Sequence, residues 1–232
     1  DRIVTTCDAY DIPVVVDAAE SVGARYKDRH AGKGARMAVY SFNGNKIITT
    51  AGGGMLASDD EELIARARYL SQQARQPVPH YEHTETGYNY RMPSLCAAVG
   101  VGQLEVLAER VARRREIFDT YAQAFADLEG VDMMPEADYG TANRWLSVLT
   151  LDPETVAKSP MEVIAAAEKN NIECRPVWKP MHEQPVFNTA AHGATSVSDR
   201  LFATGLCLPS GSSMRAVDQE RVIRQIISTL TA

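Results

Sequence analysis

The chain has 232 residues, of which 45% are hydrophobic and 23% charged, a composition typical of a globular protein. Its net charge of −6 does not favour nucleic-acid binding, because such proteins carry basic surfaces. No apolar run reaches the roughly 18 residues that a membrane span requires, so we expect neither nucleic acid nor a membrane as a partner.

The cysteines are few and scattered, with no Cys-x-x-Cys pair. Most lie in apolar surroundings, which predicts buried reduced thiols rather than disulfides or a zinc site. A cytoplasmic location is the resulting expectation. The four residues are Cys7, Cys96, Cys174 and Cys207.

The first strong pattern along the chain is an apolar run that ends in a carboxylate. Residues 1–10 are predicted to end a helix, and residues 12–16 to form a strand that leads to Asp17. Ligands of open α/β sheets bind at the carboxyl ends of the strands, so Asp17 is a candidate binding residue. Residues 21–33 are predicted to form a short helix or turn followed by a polar loop.

A polar, Gly-rich loop carries Lys46 between two predicted strands, at 37–42 and 54–57. Desolvation or a nearby cation lowers the pKa of a lysine amine, which can then form a Schiff base with an aldehyde. Ser41, at the end of the first strand, has a hydroxyl that could bind an anion. On the loop alone, a surface lysine in a turn remains open. Together with Asp17, however, the pattern matches a pyridoxal phosphate site, where lysine holds the aldehyde and aspartate pairs with the pyridine nitrogen.

The next stretch predicts a helix and then a long loop. Ser58 or Asp59 is expected to cap a helix that runs to about residue 73. The loop at 76–90 is long and polar, and loops of this length are usually functional or disordered. Its histidines, His80 and His83, are interpreted as solvated, because no further metal ligand follows at a convincing spacing. No metal site is predicted.

One long helix is predicted from Ser94 to near Gly130, with apolar residues at three- and four-residue spacing. The arginines at 110 and 113–115 are interpreted as a solvated face of this helix. The rest of the chain is predicted to form a small α/β domain, with boundaries at residues 1–112 for the first domain and 113–232 for the second. Its strands are expected at 145–151 and 172–177, with an extended segment at 207–209, and its helices at 159–170, 197–204 and 218–230.

Three motifs, in this order, resemble those of a known family. They are Val-Asp-Ala-Ala-Glu-Ser at 16–21, Ser-Phe-Asn-Gly-Asn-Lys at 41–46 and Gly-Tyr-Asn-Tyr-Arg-Met at 87–92. Together they resemble the pyridoxal phosphate-dependent sugar-nucleotide aminotransferases of the DegT type, over essentially the whole chain. The loop motif and the later Trp-Lys-Pro-Met-His at 178–182 resemble the branch that aminates UDP-4-keto-6-deoxy-N-acetylhexosamines, as in bacillosamine synthesis.

The resemblance implies a fold and an extent. The fold is α/β, fold type I (aspartate aminotransferase-like), with the C-terminal part of the large domain followed by the small α/β domain. In the family a substantial segment precedes the position of Asp17, so we expect this chain to be the C-terminal part of such an enzyme.

The resemblance also implies roles for five residues near the cofactor. Lys46 would attach pyridoxal phosphate and move the substrate proton, and Asp17 would pair with the pyridine nitrogen. Ala19 would lie against the ring, Glu20 would contact the ring hydroxyl and Ser41 would bind the phosphate. A helix cap at Asp17, a core alanine at Ala19 and a turn cap at Ser41 remain alternatives.

Four further residues are assigned to binding by the same resemblance. Asn89 would reach the phosphate of the partner subunit, which implies a homodimer with shared active sites. Arg91, His182 and Lys179 would contact the substrate, although a salt bridge for Arg91 and a surface charge for Lys179 remain open.

The implied reaction transfers an amino group from glutamate to a nucleotide-linked 4-keto-6-deoxy sugar, for which UDP is the expected nucleotide, and gives the 4-amino sugar. Two alternatives remain open. The chain could act at the 3-position of the sugar, or it could be a truncated, non-catalytic module for folding or dimerisation.

Overall fold

The computed structural model describes residues 1–187, 189, 193 and 195–231. The chain divides into two compact units. The first comprises Asp1–Val111 and Ala137–Asn143, and the second comprises Ala112–Glu136 and Arg144–Ala232. The domain boundaries at 112 and 113 stay a prediction. None of the helices in the described ranges is both long enough and apolar enough to cross a membrane.

The first unit contains two small sheets and several helices. In chain order its elements are α1 (Arg2–Asp8), β1 (Val15–Asp17), β2 (Arg25–Tyr26), β3 (Arg29–His30), β4 (Met37–Ser41), β5 (Gly54–Ala57), α2 (Glu61–Ser71), α3 (Ser94–Glu105), the start of α4 (Leu107–Phe125) and, after the strand β6 (Val131–Met133) of the second unit, β7 (Gly140–Thr141).

The main sheet of this unit has the order β1-β4-β5. Strand β1 runs parallel to β4, with Val15 opposite Met37 and Asp17 opposite Val39. Side chains two residues apart point to the same face of a strand. Ser41 therefore lies on the same face as Asp17, and both residues end their strands at the same edge of the sheet.

The two faces of this sheet differ in burial. Ala18 and Ala38 are buried, whereas Val15 and Val39 on the opposite face are 52% and 40% exposed. The strand predicted at 12–16 starts only at Val15. Proline has no N–H to donate to a strand ladder, so Pro13 is a physical reason for the later start.

A second sheet has the order β3-β2-β7, and the prediction of a short helix or turn at 21–33 misses it. Arg25 pairs with His30 and also with Thr141, so β2 is the central strand. Lys27 has a positive φ of 52° in the turn that joins β2 to β3. Strands of two residues are too short to show the alternation on which sequence reasoning depends.

The N-cap of helix α2 lies one or two residues after the predicted caps. Asp60, rather than Ser58 or Asp59, is the N-cap, and its carboxylate accepts a hydrogen bond from the Leu63 N–H at 3.0 Å. The Ser58 hydroxyl accepts from the Asp60 N–H at 3.0 Å and so supports the cap.

The single long helix predicted from Ser94 is two helices, α3 and α4. They are separated at Val106, where φ is −107° and ψ is 12°. The apolar periodicity continues across this residue, so the pattern alone could not reveal the break. None of the residues of α3 is buried, and its apolar side chains Leu95 and Val101 are 79% and 61% exposed.

The second unit consists of helices packed on one antiparallel sheet of order β6-β8-β10-β9. Besides the main part of α4, its elements are β6, β8 (Ser147–Leu151), α5 (Pro160–Glu168), β9 (Arg175–Pro176), two short 3₁₀ helices (Met181–Glu183 and Pro185–Phe187), α6 (Ser196–Thr204), β10 (Gly205–Leu208) and α7 (Ala216–Leu230).

The core of the second unit follows from its burial pattern. Every other residue of β8 is buried, and all four residues of β10 are buried. The strand predicted at 172–177 is only two residues long, although the Val177 N–H still donates to the Gly205 carbonyl at 3.3 Å. The buried apolar side chains form one cluster, which includes Ile117, Tyr121, Phe125, Leu149, Leu151, Val163, Leu206, Val222 and Ile226.

The interpretation of the arginine cluster as a solvated face is wrong for Arg114. This residue is buried, and its guanidinium donates a hydrogen bond to the carbonyl of Trp145. Arg144 is also buried, 3.6 Å above the Phe118 ring centre, and burial lowers the pKa of its guanidinium. The charge of an arginine in this region therefore does not indicate whether its side chain is exposed to solvent.

Candidate active site

The candidate site begins at the end of β1. The carboxylate of Asp17 accepts a hydrogen bond from the Ala19 N–H at 3.0 Å, which turns the chain directly after the strand. Asp17 is exposed, and Ala18 beside it is fully buried. A strand end anchored by a buried alanine therefore presents a carboxylate at the sheet edge.

The end of β4 presents a hydroxyl at the same edge. The Ser41 Oγ accepts from the Asn43 N–H at 3.3 Å, a local turn of the kind that serine favours. This hydrogen bond is the turn cap predicted as an alternative role for Ser41. The serine oxygen is the acceptor in it, so the hydroxyl hydrogen can still be donated to an anion.

The loop that carries Lys46 is held at both ends. The backbone of Phe42 forms two hydrogen bonds to the far side of the loop. Its carbonyl accepts from the Thr50 N–H at 2.9 Å, and its N–H donates to the Gly53 carbonyl at 2.9 Å. Ile47 and Ile48, directly after the lysine, are buried. These anchors fix the backbone of a polar loop, which is how a rigid scaffold positions a functional side chain.

The side chain of Lys46 is itself mostly buried. It is 12% exposed, and its Nζ forms an ion pair with the Glu20 carboxylate, which is 48% exposed. A surface turn lysine would be far more exposed, so the structure disfavours that alternative. Lys46 and Glu20, predicted separately as site residues, are in direct contact.

Glu20 is in turn held by a residue that the sequence did not single out. The side-chain amide of Asn143 donates to the carbonyl oxygens of Glu20 at 2.6 Å and Val22 at 2.9 Å. Asn143 is only 6% exposed. An asparagine far along the chain gives no local signal of this contact, so it is visible only in the structure.

Asn89 and Arg91 lie in an exposed segment of the first unit, next to the end of α2. Asn89 is opposite Gln72 in an isolated bridge, and the stacked rings of Tyr88 and Tyr90 lie 5.1 Å apart. The N–H groups of both tyrosines donate to carbonyls at the end of α2. The end of the loop is therefore tied by backbone hydrogen bonds to the end of α2.

His182 and Lys179 belong to the second unit. The His182 Nε2 lies 2.7 Å from the Asp199 carboxylate, whose other oxygen accepts from the Thr195 hydroxyl at 3.0 Å. Lys179 is exposed. Ligand atoms of His182, Glu183 and Asp199 lie within 4.8 Å of one another, and the histidine–aspartate hydrogen bond joins two of these three residues.

A model of the DegT/DnrJ/EryC1/StrS aminotransferase family matches residues 1–227. The chain belongs to this family.

Particular relatives refine the match to the DegT family. The chain is 51% identical over 231 residues to the putative pyridoxal phosphate-dependent aminotransferase EpsN of Bacillus subtilis, covering 98% of this chain and 59% of that protein. It is 34% identical over 231 residues to the GDP-perosamine synthase of Caulobacter vibrioides, covering 99% of this chain and 62% of that protein.

A solved structure of DesI in the presence of its TDP-sugar product superimposes with a TM-score of 0.90 at 26% identity, covering 100% of this chain and 59% of that chain. The chain thus spans about three fifths of the length of the relatives that it matches.

These matches confirm the predicted family, the predicted α/β fold of type I and, for the family, pyridoxal phosphate as cofactor. The roles of the individual residues stay predictions. Within the first unit, Asp17 and Ser41 end β1 and β4, Ala19 and Glu20 follow β1, Lys46 lies in the loop after β4, and Asn89 lies beside the end of α2. Of these, the contact between Lys46 and Glu20 and the shared face of Asp17 and Ser41 are the parts of the site that the structure describes directly.

Proposed function

We propose that this chain carries the lysine-bearing part of a pyridoxal phosphate-dependent aminotransferase that acts on a nucleotide-linked 4-keto-6-deoxy sugar. Glutamate would be the amino donor and the 4-amino sugar the product. The observation that carries the proposal is Lys46, a mostly buried lysine on a loop anchored directly after β4.

The residues at the sheet edge fit this cofactor chemically. An amine at Lys46 suits an aldehyde, a carboxylate at Asp17 suits a protonated ring nitrogen, and a hydroxyl at Ser41 suits a phosphate oxygen. Asp17 and Ser41 end neighbouring parallel strands on one face of the sheet, where ligands of such sheets bind. We assign Ala19 to the ring face and Glu20 to the polar edge of the ring.

When bound, pyridoxal phosphate supplies an aldehyde for attachment and a ring that takes up electron density from the substrate. The protein's own residues handle the protons. The Lys46 amine would remove the proton from the carbon that carries the amino group and return one during the second half of the exchange. Asp17 would hold the proton on the ring nitrogen through both halves.

Four residues away from the β1–β4 sheet edge would bind the substrate or the cofactor phosphate. Asn89 would donate to phosphate oxygens of the partner subunit's cofactor, which makes the enzyme a homodimer with two shared sites. Arg91 has a planar donor pair that suits a carboxylate or phosphate, and Lys179 offers a single cation. His182, oriented by Asp199, would donate to or accept from a sugar hydroxyl.

UDP is the nucleotide that we propose first, on the wording of the motifs at 41–46 and 178–182. A GDP-linked sugar is the second candidate, because the Caulobacter vibrioides relative is a GDP-perosamine synthase at 34% identity. Amination at the 3-position is a further possibility within the same chemistry.

A non-catalytic role for the chain alone is the candidate from another class. Helix α3 contains no buried residue, and this favours the module, since an apolar helix gains stability when further protein covers it. In that case the chain would fold or dimerise without turnover.

The test combines cofactor absorbance with a panel of sugars. The chain is loaded with pyridoxal phosphate, and its absorbance is followed on addition of glutamate and then of UDP-, GDP- and TDP-linked 3- and 4-keto sugars. We expect a glutamate-dependent spectral change that a UDP-linked 4-keto sugar reverses. The change should be absent in Lys46→Ala and retained in Lys33→Ala, which alters an exposed lysine paired with Asp59.

Three outcomes are distinguishable. If only a GDP-linked sugar reverses the spectral change, GDP replaces UDP as the nucleotide and the proposed amino transfer stands. Reversal by a 3-keto sugar alone would move the amination site. A chain that binds no cofactor, or whose spectrum ignores glutamate, would support the non-catalytic module.

A further inference from the structure

The Lys46 amine has an ionic partner within its own chain. Its Nζ forms an ion pair with the Glu20 carboxylate, and its side chain is only 12% exposed. Bond formation with an aldehyde needs the lone pair of a neutral amine. An ammonium group held against a carboxylate is therefore not ready to react until it leaves that carboxylate.

The position of Glu20 is fixed by buried structure on both sides. Ala18 before it and Val22 after it are buried, at 0% and 6% exposure. The amide of the buried Asn143 donates to the carbonyl oxygens of both Glu20 and Val22. The carboxylate therefore extends from a pinned backbone, unlike the mobile partners of most surface ion pairs.

We propose that Asn143 and Glu20 form a positioning pair that holds the Lys46 ammonium in the cofactor-free chain, so that cofactor attachment requires its release from Glu20. The inference rests on the proposed function of Lys46. On release, the ammonium gives one proton to solvent, its nitrogen bonds to the aldehyde carbon, and the carbonyl oxygen leaves as one water. Glu20 controls when the amine becomes available, and Asn143 acts through Glu20.

The first test needs no cofactor. The cofactor-free chain is treated with limiting acetic anhydride, and acetylation of Lys46 is measured by peptide mass spectrometry relative to Lys33. In Glu20→Gln we expect Lys46 to be acetylated at least about threefold faster, the scale of a weak ion pair. Glu85→Gln, which removes the ion pair with Arg66 in the same unit, should leave Lys46 unchanged. Equal or slower acetylation in Glu20→Gln would overturn the proposal.

The second test asks whether Asn143 works through Glu20. The rate of pyridoxal phosphate attachment is followed by absorbance in wild type, Glu20→Gln, Asn143→Ala and the double variant, after circular dichroism has shown that each is folded. Both single variants should attach the cofactor faster than wild type. The double variant should be no faster than Glu20→Gln, because the group through which Asn143 acts is already gone.

Two results separate the inference from the proposed function. If the effects of the two substitutions multiply, Asn143 acts independently of Glu20 and the positioning pair is rejected. If no variant attaches the cofactor at Lys46, the proposed function fails, whereas the acetylation experiment still decides whether Glu20 restrains the amine. If Asn143→Ala does not fold, Asn143→Ser replaces it, and the Glu20→Gln result stands by itself.

Discussion

Thr50 closes the loop that carries Lys46, and its hydroxyl allows a quantitative test of how that loop is held. Thr50 is 3% exposed, and its Oγ1 donates to the Gly52 carbonyl at 2.6 Å. Thr50→Val keeps the branched shape and removes the donor. A carbon–oxygen contact of 2.6 Å is too short, so in the closed loop of Thr50→Val the Gly52 carbonyl must move away from the new methyl group.

The expected cost follows from the surroundings of the bond. A neutral hydrogen bond contributes about 0.5–1.5 kcal/mol net, and Gly52 is exposed, so water can replace the lost donor. We therefore expect about 1 kcal/mol for loop opening, which corresponds to a roughly fivefold higher opening equilibrium.

Amide hydrogen exchange of residues 43–52, measured by mass spectrometry, reads this equilibrium directly. Thr50→Ser is the matched control, because it keeps the hydroxyl and loses one methyl group at about 0.8 kcal/mol of global stability. We expect roughly fivefold faster loop exchange in Thr50→Val and near wild-type exchange in Thr50→Ser. Unchanged exchange in Thr50→Val, or equal acceleration in both variants, would refute the reasoning.

Three further predictions concern the cofactor ring, the thiols and the dimer. Asp17→Asn keeps an oxygen for the Ala19 N–H and should still bind pyridoxal phosphate. Its half-reaction with glutamate, followed by stopped-flow absorbance, should slow by at least about tenfold, or 1.4 kcal/mol, and an unchanged rate would contradict the role of the charge. Burial raises the pKa of Cys174 to about 12 and that of Cys207 to about 11. The rate of maleimide labelling of both thiols should therefore be low at pH 8 and increase with pH as thiolate forms. Rapid labelling of the native chain at pH 8 would contradict their burial. If the site is shared, mixing Lys46→Ala with Asn89→Ala should restore about a quarter of wild-type activity, because half of a random mixture is heterodimer and each heterodimer keeps one of its two sites intact. Exchange of subunits without recovery would show that Asn89 serves its own chain.

The positions of two candidate-site residues in the fold were predictable, because they depend on local sequence. Asp17 follows an apolar run and ends β1, and Lys46 lies in a Gly-rich loop between β4 and β5, as the sequence predicts. The antiparallel strand at Gly54–Ala57 was predicted with its observed bounds. The capped start of α5 was also predictable, because Ser159 and Glu162 form a reciprocal capping box around Pro160.

Contacts between distant residues could not be predicted in this way. No local pattern connects Asn143 to Glu20, or selects Glu20 as the partner of Lys46. The burial of Arg114 depends on a carbonyl acceptor at Trp145, which its helical position does not indicate. The two-residue strands and the break between α3 and α4 at Val106 could not be predicted either, because periodicity needs several residues to be detected and continues across Val106.

The most direct test of the central claim is to locate the attached cofactor. The chain is incubated with pyridoxal phosphate, the C=N linkage is reduced with borohydride to a stable amine, and the modified peptide is identified by mass spectrometry. We expect one dominant modification, at Lys46, that competing phosphate-bearing ligands reduce and that Lys46→Ala abolishes. Modification spread over exposed lysines, or equally strong in Lys46→Ala, would contradict the assignment of Lys46 as the cofactor lysine.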